Sequence, residues 1–225
     1  MYFLSHMYSI LEVLPDELLK EEILKPLIFG SWSPDAGYFP MFSTKLKIFS
    51  HKEFPPIHLF RKNDQEKKNY IIGWKLHLLC DELIHEKPFF KNNQPLCPKI
   101  SRNKGIQKYY RTAKIHLGRE VGLDLFIYNK LLKSSKFNLL FSRDFYCKPK
   151  ITFPGYSKLQ NYIYQYVNKF LPIASGESQL GNKVRTIIDF EFFNNSYIEE
   201  KIVEFLKFAQ KECEKVVEKE FFIRI

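Results

Sequence analysis

The stretch that decides the fold is His77-Leu-Leu-Cys-Asp81-Glu-Leu-Ile-His85, in which two imidazoles and a carboxylate recur at intervals of four residues. Helical side chains four positions apart lie on one side of the helix, with a drift of only about 40° per step. The apolar residues between them, and the proline at position 88, predict a helix over residues 68–86. One side of that helix therefore offers a row of metal-ligating groups.

A second row follows in His116-Leu-Gly-Arg-Glu120-Val-Gly-Leu-Asp124, on a helix predicted over residues 105–133. A single pair of this kind is usually a surface pair, so neither row alone indicates a metal site. Two helices with such rows can face each other across a bundle core, which is how helical bundles build metal sites. Imidazole and carboxylate ligands without a thiolate are typical of a catalytic zinc site with open positions.

Helical periodicity dominates the rest of the chain and predicts an all-α fold, a single-domain helical bundle over residues 1–225. Residues 1–135 would supply the metal-site helices, and residues 150–225 additional helices packed on them. Turn-forming residues predict a loop over 30–40 and a break at Ser134-Ser135, whereas residues 150–153 could be extended. The remaining helices are predicted at residues 4–14, 16–28, 157–172, 178–193 and 196–219, with a short one near Pro55.

The composition is that of a globular protein with a full core, because 45% of the residues are hydrophobic and 16% are aromatic. No stretch approaches the roughly 20 consecutive apolar residues that a membrane-spanning helix needs. The opening Met1-Tyr2-Phe3-Leu4 lacks the basic start of a secretory signal. We therefore expect a cytoplasmic protein, or a secreted or periplasmic one if the chain is already processed.

Cysteine spacing and charge narrow the function classes further. The four cysteines form no CxxC pair, which disfavours a thiolate zinc knuckle and a dense disulfide framework. The net charge of +10 permits an anionic partner such as a phospholipid surface or a nucleic acid. The basic residues are dispersed, however, as they usually are on solvated faces.

These motifs resemble those of the zinc-dependent phospholipase C family, whose fold is shared with the single-strand-specific zinc nucleases. Five pieces occur in the family's order over roughly residues 5–126. They are Ser5-His6-Met7, Ser33-Pro34-Asp35-Ala36-Gly37-Tyr38-Phe39-Pro40, Ser50-His51-Lys-Glu-Phe54, the helix from Gly73 through His77 and Asp81 to His85, and the row from His116 through Glu120 and Gly122 to Asp124.

The resemblance implies a cluster of two to three zinc ions. One ion would be held by Asp35, His51, His77 and Asp81. A second would be held by His85, His116 and Glu120, and Asp81 would bridge to a third that is shared with His6. Asp35 would also orient or deprotonate the attacking water, as a general base does.

Three positions depart from this pattern or leave it open. Secreted members use an N-terminal tryptophan on the third zinc, whereas this chain begins Met1-Tyr2, so we expect that ion to be weak or absent. His58 competes with His51 as the loop ligand, and the spacing from the preceding Gly-Tyr-aromatic-Pro element favours His51. Asp124 is expected to orient a ligating histidine rather than to bind zinc.

The function that the resemblance implies is that of a zinc-dependent phosphodiester hydrolase. The sequence around Pro34-Asp35 and Glu120-Val-Gly122 is more similar to the phospholipase branch of the family than to the nuclease branch. A phospholipid is then the expected substrate, with peripheral contact to a membrane surface. The alternatives are a single-strand nuclease or nucleotidase, a family member that binds metal without turnover, and a structural metal-stabilised module. Nearby aromatic residues suit a choline-like cation, a stacked base or simple core packing: Trp32, Tyr38, Phe39 and Phe42.

Overall fold

The computed structural model describes residues 3–36, 55, 64–90, 93–99, 106–132, 135–142, 145, 156–176, 178–187, 193 and 195–222. Within those ranges every regular element is helical, which confirms the all-α fold. The helices are α1 (Phe3–Val13), α2 (Glu21–Ala36), α3 (Asp64–Glu86), α4 (Ile106–Phe126), α5 (Asn138–Phe141), α6 (Tyr156–Gln165), α7 (Leu171–Ser175), α8 (Gln179–Ile187) and α9 (Ser196–Val217). Short 3-10 turns occupy Asp16–Leu18 and Ser135–Phe137, and π-helical turns extend α4, α6 and α9 over Ile127–Leu131, Tyr166–Phe170 and Glu218–Phe222.

The two helices that carry the ligand rows lie where the sequence predicts them, as α3 and as α4 with its π-helical turn. The helix predicted at 16–28 begins later, at Glu21, because Asp16–Leu18 forms a separate 3-10 turn. Acidic residues suit the positive end of the helix dipole, and both Glu21 and Glu22 lie in the first turn of α2. Around the short helix predicted near Pro55, the structure describes only residue 55 itself. Residues 150–153 lie outside the described residues.

The loop predicted over residues 30–40 is wrong for residues 30–36, which continue α2 to Ala36. The turn-forming residues serve the helix instead. Ser33 Oγ donates to the carbonyl of Phe29 at 2.6 Å, and Ser31 Oγ donates to the carbonyl of Ile28 at 2.7 Å. Such bonds keep a serine hydroxyl satisfied inside a helix. Residues 37–40 lie outside the described part of the chain.

Helices α2 and α3 touch backbone to backbone, and two glycines make the contact possible. A Cβ built on Gly30 would lie 2.0 Å from the carbonyl oxygen of Tyr70, and one on Gly73 would lie 1.9 Å from that of Leu27. Real side chains cannot approach a carbonyl so closely, so only glycine fits at these positions. The contact fixes the position of α3 along the axis of α2.

The core joins the N-terminal helices to the C-terminal one. Helix α1 packs against α2, α3, α4 and α9, and α9 also packs against α3. Buried apolar side chains from all of these helices form one contiguous cluster. Among the described helices, none is both long and apolar enough to cross a bilayer.

We predict that Gly73→Ala destabilises the protein by about 3 kcal/mol, because the added Cβ meets the backbone of α2, which cannot rotate away. Urea unfolding followed by far-ultraviolet circular dichroism measures the change in the free energy of unfolding. Gly176→Ala is the matched control, since its Cβ would have no neighbour closer than 3.3 Å. Equal unfolding midpoints for Gly73→Ala and the parent chain would contradict the close contact.

Candidate metal centre

The ligand row on α3 does not converge on one point, because each four-residue step drifts by about 40° and two steps give about 80°. The first two members of the row turn toward α1, and the last turns toward α4. The candidate ligand atoms therefore gather in two sets, each within 4.8 Å of one another. The first group is His6, His77 and Asp81, and the second group is His85, His116 and Glu120.

The first group is ordered by a bond to the backbone of α2. His77 is fully buried, and its Nδ1 lies 2.7 Å from the carbonyl oxygen of Ser31. A carbonyl oxygen can only accept, so Nδ1 carries the proton and Nε2 keeps its lone pair for a metal. The His6 ring stacks on the His77 ring with centroids 4.4 Å apart. His77 is thus oriented by a backbone group that would not compete for an ion, and His6 is aligned on it by stacking.

Asp35 lies beside the first group rather than within it. The expectation of a loop position is wrong, since Asp35 occupies the last turn of α2. Its Oδ1 is 3.9 Å from His77 Nε2, and its side chain keeps 13% of its surface exposed while that of His77 has none. Asp35 is therefore partly exposed beside the group, as is the Asp81 side chain at 18%. His51 and His58 lie outside the described residues, so the identity of the loop ligand stays a prediction.

The second group is oriented by the segment between α3 and α4. His85 Nδ1 donates to the carbonyl of Cys97 at 2.6 Å, and His116 Nδ1 donates to the carbonyl of Pro98 at 3.1 Å. The two rings stack with centroids 5.0 Å apart, and His116 Nε2 lies 2.7 Å from Glu120 Oε1. Both Nε2 atoms therefore point away from the segment, toward the carboxylates.

A third carbonyl of the same segment, that of Leu96, accepts a bond of 3.0 Å from Arg119 Nη1. We call residues 96–98 the carbonyl strap, because three consecutive carbonyls bind side chains of α3 and α4. The Arg119 guanidinium also lies over the Phe90 ring, 5.3 Å from its centroid. The strap is tied to α3 by the amide of Cys97, which donates to the carbonyl of Ile84 at 3.2 Å.

Asp81 connects the two groups, since its Oδ1 lies 3.1 Å from His85 Nε2. Burial alone would raise the pKa of the Asp81 carboxyl, but the His85 hydrogen bond and the nearby His77 hold that pKa well below its usual range. Burial alone would lower the pKa of His85. The hydrogen bond to Asp81 outweighs this effect of burial, so the pKa of His85 is raised. Asp81 therefore remains ionised, which is the state in which a carboxylate binds a metal ion.

Asp124 binds the start of α1, and its expected bond to a ligating histidine stays a prediction. It is fully buried and accepts hydrogen bonds from the amide of Ser5 and from the hydroxyl of Tyr166, each at 2.9 Å. Burial raises its pKa to about 7, although these bonds oppose the shift. A carboxyl group at this place satisfies an amide in the first turn of α1 and so anchors the helix that carries His6.

Sequence reasoning missed the groups that orient the ligands. The Ser31 carbonyl and the carbonyl strap belong to the backbone, so no residue type signals them. Tyr166 is separated from Asp124 by 42 positions and lies in no ligand pattern. Trp32 is a core residue, 1% exposed and packed edge-on against Phe29. The other aromatic candidates, Tyr38, Phe39 and Phe42, lie outside the described residues.

The donor chemistry of both groups fits zinc. Each group combines imidazole nitrogens with one carboxylate and contains no thiolate, and three imidazoles are oriented through Nδ1 by main-chain carbonyls. That arrangement is the usual support of zinc-binding histidines. Three protein ligands per group leave positions open for water and substrate.

Comparison with known proteins agrees with this geometry. Neither the curated proteins nor the solved structures include a significant match to the chain. A family model described as zinc dependent phospholipase C matches residues 1–176, a stretch that contains both ligand groups and ends just after α7. Because that match covers 176 of the 225 residues, the chain belongs to the zinc-dependent phospholipase C family.

Proposed function

We propose that this protein is a zinc-dependent phospholipase C that hydrolyses the phosphodiester bond of a phospholipid headgroup. The observation that carries the proposal is the pair of ligand groups, in which backbone carbonyls hold three imidazoles through Nδ1 and leave their Nε2 atoms available to a metal. Family membership supports the reaction class and the phospholipid substrate. The net charge of +10 permits peripheral contact with an anionic membrane surface.

The two groups suggest how two to three zinc ions would be divided. The second group would hold one ion. His77 and Asp81 of the first group would hold another together with Asp35 and His51, and His6 would share a third with Asp81. Bound zinc polarises a phosphoryl oxygen and makes water acidic enough to deprotonate near neutral pH.

Asp35 is the residue that we assign as general base. Its carboxylate lies beside the first group, 3.9 Å from His77 Nε2, and is partly exposed. The carboxylates of the two ligand groups are committed elsewhere, since Asp81 bonds to His85 and Glu120 bonds to His116. A partly exposed carboxylate beside the ligands can accept a proton from water and pass it to solvent.

The proposal predicts two to three zinc ions per chain and hydrolysis of phospholipid. Elemental analysis after dialysis without chelator gives the stoichiometry. The same preparation is assayed on a chromogenic phosphodiester, on phosphatidylcholine vesicles with diacylglycerol as the product, and on single-stranded DNA. Release of diacylglycerol with intact DNA supports the phospholipase.

Each of the other results of these assays would support a different function for the protein. Cleavage of DNA without diacylglycerol release would identify a nuclease of the same fold. Bound zinc with no turnover on any of the three substrates would identify a metal-binding member of the family. Less than one zinc ion per chain after reconstitution would overturn the metal centre itself.

For Asp35→Asn we expect zinc to be retained and turnover to fall by about 10²-fold or more, the usual scale for a lost general base. The amide keeps the shape of the side chain and cannot accept the proton. Glu82→Gln is the matched control, because Glu82 is an exposed carboxylate on α3 outside both ligand groups. Activity within a few fold of the parent would remove Asp35 from catalysis, and loss of zinc would withdraw its assignment as a base.

Arg119→Met tests the carbonyl strap. Without the bond to the Leu96 carbonyl, the carbonyls that orient His85 and His116 lose an anchor, and we expect the affinity of one zinc ion to fall by about 10- to 100-fold. Competition with a chelator of known affinity measures each zinc ion separately. Lys130→Met is the control, since it removes a cation just beyond the same helix without touching the strap. Unchanged affinity for every ion would show that the strap needs no help from Arg119.

A further inference from the structure

The C-terminal helix α9 runs antiparallel to α3, and three contacts fix the register between them. Residue numbers rise along α3 as they fall along α9. The pairs are Lys75 Nζ with Glu220 Oε1 at 2.6 Å, Cys80 Sγ with Cys213 Sγ at 3.6 Å, and the ring of Phe89 edge-on to that of Phe205 at 5.8 Å. We call this interface between α3 and α9 the seam. The two thiols lie in the middle of it, with one of the other contacts on either side.

We propose that Cys80 and Cys213 are a disulfide-forming pair that, once oxidised, fastens α9 covalently to the helix that carries the metal ligands. The sulfurs lie 3.6 Å apart, and a disulfide bond needs about 2.05 Å. The remaining approach of about 1.6 Å can come from rotation about χ1 of one or both cysteines. No sliding of the helices is required, because the flanking contacts already hold the thiols opposite each other.

The neighbourhood of the pair favours an intramolecular bond over other fates of the thiols. Cys80 is 1% exposed and Cys213 is not exposed at all, so a bulky reagent cannot stay on either sulfur once α9 has docked. Each thiol is hydrogen-bonded to the other. Cys97 is also buried, but it lies on the strap between α3 and α4 rather than in the seam.

The reaction balances with a low-molecular-weight disulfide such as glutathione disulfide as oxidant. One protein thiolate attacks that disulfide, its S–S bond breaks, and one glutathione leaves as the thiolate. The second protein thiol, after loss of its proton, attacks the protein sulfur of the mixed disulfide and expels the second glutathione. Two protein thiols are oxidised and one glutathione disulfide is reduced to two thiols. Because both sulfurs are buried, the first attack takes place while α9 is undocked.

The consequence is a covalent tie between two parts of the chain that are far apart in sequence. The two cysteines are 133 positions apart, and cross-links that close long loops restrict the unfolded chain most. Helix α9 lies beyond residues 1–176, the part that matches the family model. The disulfide would thus join this additional helix to the family's metal-site helix. The inference does not depend on the proposed phospholipase activity.

The test is to refold the full-length protein in a glutathione redox buffer, quench with an alkylating reagent and measure its intact mass. We expect two of the four cysteines to escape alkylation, a mass about 2 Da below that calculated for a chain with two alkyl groups and two free thiols, and a cross-linked peptide that contains Cys80 and Cys213. The oxidised protein should melt several degrees higher than the same protein after dithiothreitol. Cys97→Ser is the matched control and should behave like the parent chain.

Cys80→Ser and Cys213→Ser should each abolish both the mass loss and the reductant-sensitive shift in Tm. Peptide mapping of the parent chain keeps the test valid even if one of these variants does not fold. A stable glutathione adduct on either sulfur would overturn the proposal, because an opposed thiol would have displaced it. So would a cross-link that involves Cys97 or Cys147, or a full set of free thiols after refolding.

Discussion

The close contact between α2 and α3 is the constraint on which the first ligand group depends. Gly30 and Gly73 let the two backbones meet, and one turn farther along α3 the Nδ1 of His77 reaches the carbonyl of Ser31 at 2.7 Å. A side chain at either glycine would push the helices apart by more than a hydrogen bond tolerates. The same contact brings Asp35 to the edge of the site, because it follows Ser31 by one turn of α2.

The second group and α1 are held by the same kind of interaction, in which main-chain groups position side chains. The carbonyl strap orients His85 and His116, and the amide of Ser5 binds the buried carboxyl of Asp124. Main-chain groups keep their positions only while the segments that carry them stay packed. The ligand geometry is therefore a property of how α1, the strap and α2 pack around α3, and not of the ligand side chains alone.

The sequence was sufficient for the helical fold, which follows from apolar periodicity along the chain, and for the two rows of candidate ligands, which follow from four-residue spacing. The division of the α3 row into two groups also follows from the drift of the helix, although the partner helices cannot be read from spacing. The segment at residues 30–36 was mispredicted because Gly30 and Ser31 serve packing and an internal bond here, rather than a turn. The carbonyls that orient the histidines could not be predicted, since every residue has one.

Helix α3 uses different sides for the ligands and for α9. Cys80 and Asp81 are adjacent in sequence, and adjacent side chains point about 100° apart around a helix. The seam with α9 therefore supports the metal-site helix from another side and leaves the ligand side clear for α1, α2 and α4. The ion pair of Lys75 with Glu220 is partly exposed and contributes little. The buried contacts of Cys213 and Phe205 contribute more to this attachment, so a helix beyond the family match adds to the support that α3 receives mainly from α2.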